Sequence, residues 1–348
     1  MKIVHCFFTM HTGGSQVLAV DMLNEMCKLH DVSLIVVNDQ WNEKLLKKLD
    51  PLVDVFLINR KEGSRNPIPI LRFNLLLNKL KPDVIHCHED KLVNLIKIGN
   101  SRTVHTVHDV GLKNTAIAKY DSVIAISSAV ALDIKNRFNV DAAVIYNGIP
   151  MNSFKKRDEY GLGEDKTIRL VQVSRLIHEK KGQDVLINAL HKLIVEYGKN
   201  NIELDIIGAG KSMDYLKSLA ENLSISPYVN FLGEKDRRWL YDNLAGYHAL
   251  IQPSRFEGFG LTIVEGVAAG LPVVVSNIEG PAEIMNGITT KFLFDTANAD
   301  DCALMINKLI DYYRQGKIKD VLDETYLSMK KRFSIESSVT QYLNIYSN

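Results

Sequence analysis

The densest run of chemistry-bearing residues is Pro253-Ser254-Arg255-Phe256-Glu257-Gly258-Phe259-Gly260-Leu261-Thr262-Ile263-Val264-Glu265-Gly266, directly after the apolar run 249–252. Gly258 and Gly260 have no Cβ, so the backbone there can come close to a ligand. A helix beginning near Gly260 would turn its unpaired N–H groups and positive dipole end to the same place. That is an anion site suited to a diphosphate. Glu265 falls one turn into an otherwise apolar helix. A lone carboxylate there asks for a partner, because burying an unpaired charge is costly. Hydroxyl groups of a sugar or ribose would serve. The plainer alternative is a carboxylate capping local backbone, with Glu257 simply exposed.

Two further clusters follow strands of the same half. Val173-Ser174-Arg175-Leu176 precedes Lys180-Lys181-Gly182, so Arg175 and Lys181 lie six apart across a loop entering a helix. Two cations at a strand end can neutralise a leaving diphosphate, the work a metal ion does elsewhere. Taken alone, they are as readily a solvated surface. Ile207-Gly208-Ala209-Gly210-Lys211-Ser212 looks like the tail of a P-loop, but Asp205 stands where the first glycine belongs. It also fails as Gly-x-Gly-x-x-Gly, because the last position is Met213. What remains is a tight turn that lets a flat ligand approach the backbone, or one that needs small residues for packing alone.

The N-terminal half offers less. Gly13-Gly14-Ser15 follows the first apolar run and opens a helix, as a smaller phosphate cradle or a plain turn. Thr106-Val107-His108-Asp109 ends a strand, which aims His108 at the ligand side. His86 and His88 flank Cys87, and alternation puts both on one face. A His-x-His pair can bind a metal, but no third ligand is apparent, so a hydrogen-bonding or structural role fits better. No Asp-x-Asp pair, which many transferases use to hold a divalent ion, occurs. The expectation is no metal site.

The elements that must position these residues form two alternating halves. Strand candidates are 3–8, 32–37, 53–58, 84–87, 103–107, 122–126 and 143–146, with helical stretches such as 17–29, 71–80 and 129–137 between them. Continuous apolar runs such as 32–37 mark strands buried on both faces. The pattern pauses at Asn147-Gly148-Ile149-Pro150 and a polar stretch, then restarts with strands 168–174, 202–207, 229–232, 249–252, 273–276 and 292–294. A final helix spans 335–346 with Ser334 as its N-cap. Strands alternating with helices imply doubly wound parallel sheets. Such sheets bind ligands beyond their strand carboxyl ends. The expected domains are 1–150 and 151–332, facing an interdomain cleft, with the helix 333–348 crossing back to the first.

The 348 residues correspond to about two domains. With 42 Lys and Arg against 41 Asp and Glu, the strong basic excess of nucleic-acid binders is missing. Residues 1–150 carry 18 basic and 15 acidic side chains, which slightly favours that half as the side facing an anionic surface or acceptor. Four cysteines without metal or CxxC spacing read as buried free thiols of a reducing compartment. No stretch reaches the roughly 20 apolar residues of a membrane span, and no signal peptide is visible.

With Glu257-x7-Glu265, the Gly270-Leu271-Pro272-Val273-Val274 run behind it, Arg175 paired with Lys181-Gly182, Gly13-Gly14, His108, Ser127-Ser128 and Asn147-Gly148-Ile149 all in register, the chain resembles the retaining glycosyltransferases of family 4, which have the GT-B fold of two Rossmann-like domains. The resemblance covers essentially the whole chain. It implies transfer of a hexose-type sugar from a nucleoside-diphosphate sugar, UDP-linked first and GDP-linked next, without a cofactor. Arg175 and Lys181 would contact the diphosphate. Glu257 and the backbone of Gly258, Phe259 and Gly260 would hold sugar hydroxyls. Leu261 and Thr262 would offer N–H groups to phosphate, and Glu265 would bind the ribose. Gly208, Gly210, Leu232 and Gly233 would line the base. Gly13 and Gly14 would complete the donor site, and His108 would touch the sugar near the reacting centre. Ser174 stands where the family often has glycine. Short family members usually build bacterial surface polysaccharides such as capsule or lipopolysaccharide. That implies a cytoplasmic protein, at most touching the inner face of the membrane, with a glycan or lipid-linked acceptor. Lys44, Lys47, Lys48, Arg60 and Lys61 are the candidates for such contact, or a solvated face. The alternatives are a sugar-nucleotide 2-epimerase of the same fold, a nicotinamide-dependent oxidoreductase, which the missing glycine fingerprint disfavours, and a non-catalytic sugar-nucleotide-binding protein.

Overall fold

The computed structural model describes residues 1–11, 13–111, 116–163 and 166–347. The first elements are β1 (Lys2–Phe7), α1 (Gly14–Met26), β2 (Asp31–Asn38), α2 (Glu43–Leu46), β3 (Val53–Arg60), α3 (Ile68–Leu80), β4 (Val84–Cys87), β5 (Arg102–Val107), β6 (Ser122–Ala125), α4 (Ser128–Phe138) and β7 (Ala143–Val144). Then come β8 (Ile168–Val173), α5 (His178–Lys181), α6 (Gln183–Val195), β9 (Ile202–Ile207), α7 (Met213–Asn222), β10 (Val229–Gly233), α8 (Arg237–Asn243), β11 (Ala249–Gln252), α9 (Leu261–Ala268), β12 (Val273–Ser276), α10 (Glu279–Ile284), β13 (Phe292–Phe294), α11 (Ala299–Arg314), α12 (Ile318–Phe333) and α13 (Ile335–Ser347).

The strands form two wholly parallel sheets, ordered β3-β2-β1-β4-β5-β6-β7 and β10-β9-β8-β11-β12-β13. The chain divides into two compact units, residues 1–149 with 332–348, and residues 150–331. Parallel strands need crossovers, and the helices that supply them cover the sheet faces. That is why β2 is buried at every position after Asp31. In the first unit one sheet face packs Leu34 and Val36 against Leu23 of α1 and Val339 of α13. The other face packs Ile85 and Cys87 against Phe73 and Leu77 of α3 and Ile134 of α4. Each fully buried Phe or Leu contributes about 1.5–3 kcal/mol relative to an exposed one. In the second unit α6 and α11 close over β8, β9 and β11.

The final helix starts as the spacing predicts. The Ser337 N–H donates to Ser334 Oγ at 3.2 Å, a cap for α13. The Ile149 N–H donates to the Phe333 carbonyl and the Ile335 N–H to the Ile149 carbonyl. Gly148 is required there: a Cβ would stand 2.7 Å from the Ser334 carbonyl oxygen and 2.8 Å from Ile335 Cα. All four cysteines are free and buried.

Candidate active site

In the second unit the singled-out residues gather at the carboxyl ends of β8, β9, β10 and β11. The chain leaves β8 through Ser174 and Arg175, makes one turn as α5, and enters α6 at Gly182, whose φ is +65°. A Cβ on Gly182 would fall 1.8 Å from the Pro253 carbonyl oxygen, so the glycine lets the loop after β8 touch the loop after β11. Lys181 Nζ then reaches Glu257 Oε2 at 2.6 Å, with both side chains largely covered. Gln252 Nε2 donates to the same oxygen at 3.1 Å, and Ser254 Oγ stands 3.4 Å from it. The carboxylate is therefore oriented by three donors.

Arg175 is different. Its side chain is exposed and, among the described residues, has no ion-pair partner. Lys181 shares its charge with Glu257, and Arg175 and the start of α9 add further positive charge here. Gly260, at φ +100°, precedes that helix without a side-chain cap. Leu261 and Thr262 occupy its first turn half-buried, and Phe259 is buried beneath it. Gly258 has open space where a Cβ would go. The arrangement presents N–H groups, one exposed cation and one fixed carboxylate on a single surface. Such a surface can bind a phosphate and a hydroxyl side by side.

Two expectations change with the geometry. Glu265 is half-buried rather than buried and has an interaction within the protein, so burial alone does not call for a ligand there. Gly208 and Gly210 also answer to packing. Cβ atoms there would stand 1.9 Å from the Ser174 carbonyl oxygen and 2.4 Å from that of Leu176. The Gly208 N–H donates to the Gly233 carbonyl at 2.9 Å, which joins the ends of β9 and β10 beside half-buried Leu232. Asp205, the residue that spoils the P-loop pattern, is a buried hub accepting from Tyr247 Oη at 2.7 Å and Asn230 Nδ2 at 2.9 Å.

Sequence reasoning missed the frame around these residues. Arg255 grips Asp184 with two hydrogen bonds of 2.7 and 2.8 Å and also donates to the His178 carbonyl. Asp184 raises the Arg255 pKa further. Buried Gln172 and Gln183 both donate to Ser174 Oγ, at 2.6 and 2.8 Å. This gives the serine a reason to replace glycine. Polar residues inside runs otherwise apolar were the available signal.

Gly13, Gly14 and His108 belong to the first unit. Gly13 precedes α1 with extended backbone and no side-chain cap. Ser15, His88, His108, Asn147, Gly148 and Tyr342 line a small concavity beside that helix start. His5 supplies the third imidazole that the sequence did not reveal beside His86 and His88. His11 lies apart, 3.1 Å from Gln40 Oε1.

Comparison with known proteins decides the family. The family model described as glycosyl transferases group 1 matches residues 153–319, and that of glycosyltransferase family 4 matches residues 12–153. The chain belongs to the family 4, group 1 glycosyltransferases. An uncharacterized glycosyltransferase of Methanocaldococcus jannaschii is 26% identical to this family 4 chain over 76% of it and 75% of the relative. A glycosyltransferase structure from Rickettsia africae superposes with a TM-score of 0.81 at 21% identity, covering 99% of this chain and 97% of that one. The structure of Anabaena HepE in complex with UDP and glucose gives 0.76 at 21% identity over the whole of both chains. The fold of this family 4 glycosyltransferase is therefore GT-B.

Proposed function

We propose that this family 4 glycosyltransferase moves a hexose-type sugar from a nucleoside-diphosphate sugar to a hydroxyl of a glycan or lipid-linked acceptor, with retention of anomeric configuration and without a metal. The observation that carries the reading is the Lys181–Glu257 pair at 2.6 Å beside the uncapped start of α9 and the exposed Arg175. Arg175 and the N–H groups of Leu261 and Thr262 stabilise charge growing on the departing diphosphate. Lys181 divides its charge between that diphosphate and Glu257, and Glu257 takes up sugar hydroxyls. Glu265 receives the ribose, the turn at Gly208, Gly210 and Gly233 the base, and His108 a sugar hydroxyl. The bond from the anomeric carbon to the phosphate oxygen breaks. The bond to the acceptor oxygen forms on the same face, and the acceptor proton goes to the leaving phosphate oxygen. UDP is the favoured nucleotide, in keeping with the UDP and glucose bound in the Anabaena relative.

The pathway reading, bacterial surface polysaccharide synthesis at the inner face of the membrane, rests on the resemblance and on one surface. No helix among the described residues is long and apolar enough to cross a membrane. The cations first singled out divide: Lys44, Lys47, Lys48 and Lys61 are exposed, but the Arg60 guanidinium is tied to Asn38 Oδ1 and the Ser64 carbonyl. A better contact face lies on α3. Ile68, Leu71 and Leu75, spaced three and four apart, are each more than half exposed, with exposed Arg72 and Lys79 beside them and no acidic residue on the helix. Apolar side chains flanked by cations suit weak contact with an anionic lipid surface.

The test is donor hydrolysis by the purified chain with EDTA present, across UDP-, GDP- and ADP-sugars, with Glu257→Ala as control. Slow release of one nucleotide, lost in the variant, is the expected result. No release from any donor, together with no thermal shift by any nucleotide, overturns the reading.

A further inference from the structure

Four histidines that the charged site does not use lie on one face of the first sheet. Pairing sets His5 beside His86 across β1 and β4. His86 and His88 share that face two residues apart, and His108 follows Thr106 with the same alternation. His5 and His86 are fully buried and His88 nearly so. Nδ1 of His5 lies 3.1 Å from Nε2 of His88, and Nδ1 of His88 lies 3.2 Å from Nε2 of His108. Three imidazoles thus stand in single file. The inner end is blind, because Nε2 of His5 is buried with no hydrogen-bond partner. The outer end is half-buried His108, which lines the concavity with Ser15, Asn147 and Gly148.

A metal would be the other occupant of such a cluster, since His5, His86 and His88 each place a nitrogen within 4.8 Å of the others. The nitrogens are already engaged. His86 bonds Tyr346 Oη through Nδ1 and Thr106 Oγ1 through Nε2, the latter at 2.8 Å. Both nitrogens of His88 face other imidazoles. The His86 and His88 rings are also stacked within 6° of parallel, which sends their lone pairs side by side rather than toward one tetrahedral centre.

A neutral imidazole carries one N–H and one bare nitrogen. The file can therefore run in only two directions. Outward, His5 Nδ1–H donates to His88, His88 Nδ1–H donates to His108 Nε2, and His108 keeps its proton on Nδ1. Inward, every proton sits on Nε2. The outer end tolerates either, because water or a ligand can donate or accept there. The blind end decides: the inward direction leaves an N–H without an acceptor, and orphaned buried N–H groups are the rarer defect. Burial holds all three rings neutral, with His5 pushed down to about 3, His108 to about 4 and His88 well below its usual range.

We infer that His5 and His88 are positioning residues that lock His108 as its Nδ1–H tautomer, so that it meets its ligand only as a hydrogen-bond donor. This rests on the reading of His108 as a group that touches the transferred sugar. A locked donor favours a ligand oxygen with a lone pair to offer, such as a sugar hydroxyl. It also bars His108 from acting as the base for the acceptor, since Nδ1 is occupied and the Nε2 lone pair is taken.

The experiment is ring-nitrogen NMR of the full chain, labelled with ¹⁵N-histidine, at pH 7 without substrate. His5, His88 and His108 are each expected to show a protonated Nδ1 and a bare Nε2, the reverse of free histidine. His88→Asp puts an acceptor where Nδ1–H stood, so it should swap His108 to Nε2–H and lower kcat/KM for the donor about tenfold or more. His88→Asn keeps an amide donor there and should restore both the signature and most of the activity. An Nε2–H or doubly protonated His108 in the unaltered chain overturns the lock. So does stoichiometric Co²⁺ or Zn²⁺ binding that shifts the His5 and His88 nitrogens, which would make the cluster a metal site. The tautomer is read without turnover, so the expected spectrum in a chain inactive on every donor keeps the lock and overturns the sugar-transfer reading.

Discussion

The two units handle polarity in opposite ways. The second sets its charges at strand ends, paired or in the open: Arg175 exposed, Lys181 and Glu257 paired at 2.6 Å, Arg255 clamped to Asp184. The first puts its titratable groups inside, with His5 and His86 fully buried, and shows Ile68, Leu71 and Leu75 outside. A charge kept near water stays charged and can meet a charged ligand. A titratable group stripped of water loses its charge and keeps only hydrogen-bond direction. On the proposed reading, the contrast gives ionic recognition of a diphosphate to the second unit and directional recognition to the first.

The largest expected effect breaks the ionic half of the contrast. If Lys181 meets developing negative charge as proposed, Lys181→Ala should lower turnover on the order of a hundredfold or more. The same change leaves Glu257 covered and uncompensated. Each single variant, Lys181→Ala or Glu257→Ala, should therefore also melt lower, since removing one partner of a covered pair is destabilising. In Lys181→Ala with Glu257→Gln, melting should recover part of the loss while turnover stays low. A double variant as unstable as the sum of the singles would mean that the pair is not coupled.

The buried half of the contrast predicts how stability depends on pH, with two opposite slopes. The unfolded chain takes up protons on its histidines below about 6.5, whereas folded His5 and His108 resist until about 3 and 4, mainly because burial strips their water. The unfolded state then binds more protons, so stability falls as pH drops from about 6.5 toward 4. Glu89 acts the other way. Burial lifts its carboxyl to about 8, although Oε2 accepts the Phe8 N–H at 2.9 Å. Between about 4.5 and 8 the folded state holds a proton that the unfolded state has released, so stability falls as pH rises through that window. Glu89→Gln should flatten the fall above about 6.5, worth up to a few kcal/mol, and steepen the acid limb between about 4.5 and 6.5, where the two slopes oppose each other. Urea melts between pH 4 and 9 measure both. An unaltered alkaline limb would show that Glu89 is ionised in the folded chain.

The same contrast explains what could be read from the sequence. The parallel sheets were legible because doubly buried strands are continuous apolar runs, and 84–87, 202–207, 249–252, 273–276 and 292–294 match their observed bounds. Helix starts were less so: α1 begins at Gly14 rather than Val17 because its first turn lacks the apolar spacing that marks the rest. The proximity of Lys181 to Glu257 was not visible, since 76 residues separate them and contacts between the two loops bring them together, Gly182 against Pro253 and the Arg255 and Phe256 N–H groups on the Lys180 carbonyl among them. His5 was hidden for the same reason. It reads as part of an apolar strand, and only pairing with β4 sets it beside His86.

The smallest effect sharpens the contrast on the outer surface. Leu71 is 60% and Leu75 58% exposed, so Leu71→Ser with Leu75→Ser takes little from the core and should change the unfolding free energy by no more than about 0.5 kcal/mol for each substitution. If α3 rests on lipid, the double variant should reduce co-sedimentation with phosphatidylglycerol vesicles several-fold. Arg72→Gln with Lys79→Gln should weaken it too, by about 1 kcal/mol for each cation lost. Raising salt should mimic the second pair and not the first, because screening acts on charge and not on apolar insertion. Equal binding of all these chains to anionic vesicles would remove α3 from the contact and return the choice to the lysines around α2. Binding unchanged on neutral phosphatidylcholine would mean that the apolar stripe acts without the cations, and the first unit would then expose its hydrophobic residues for a partner other than an anionic surface.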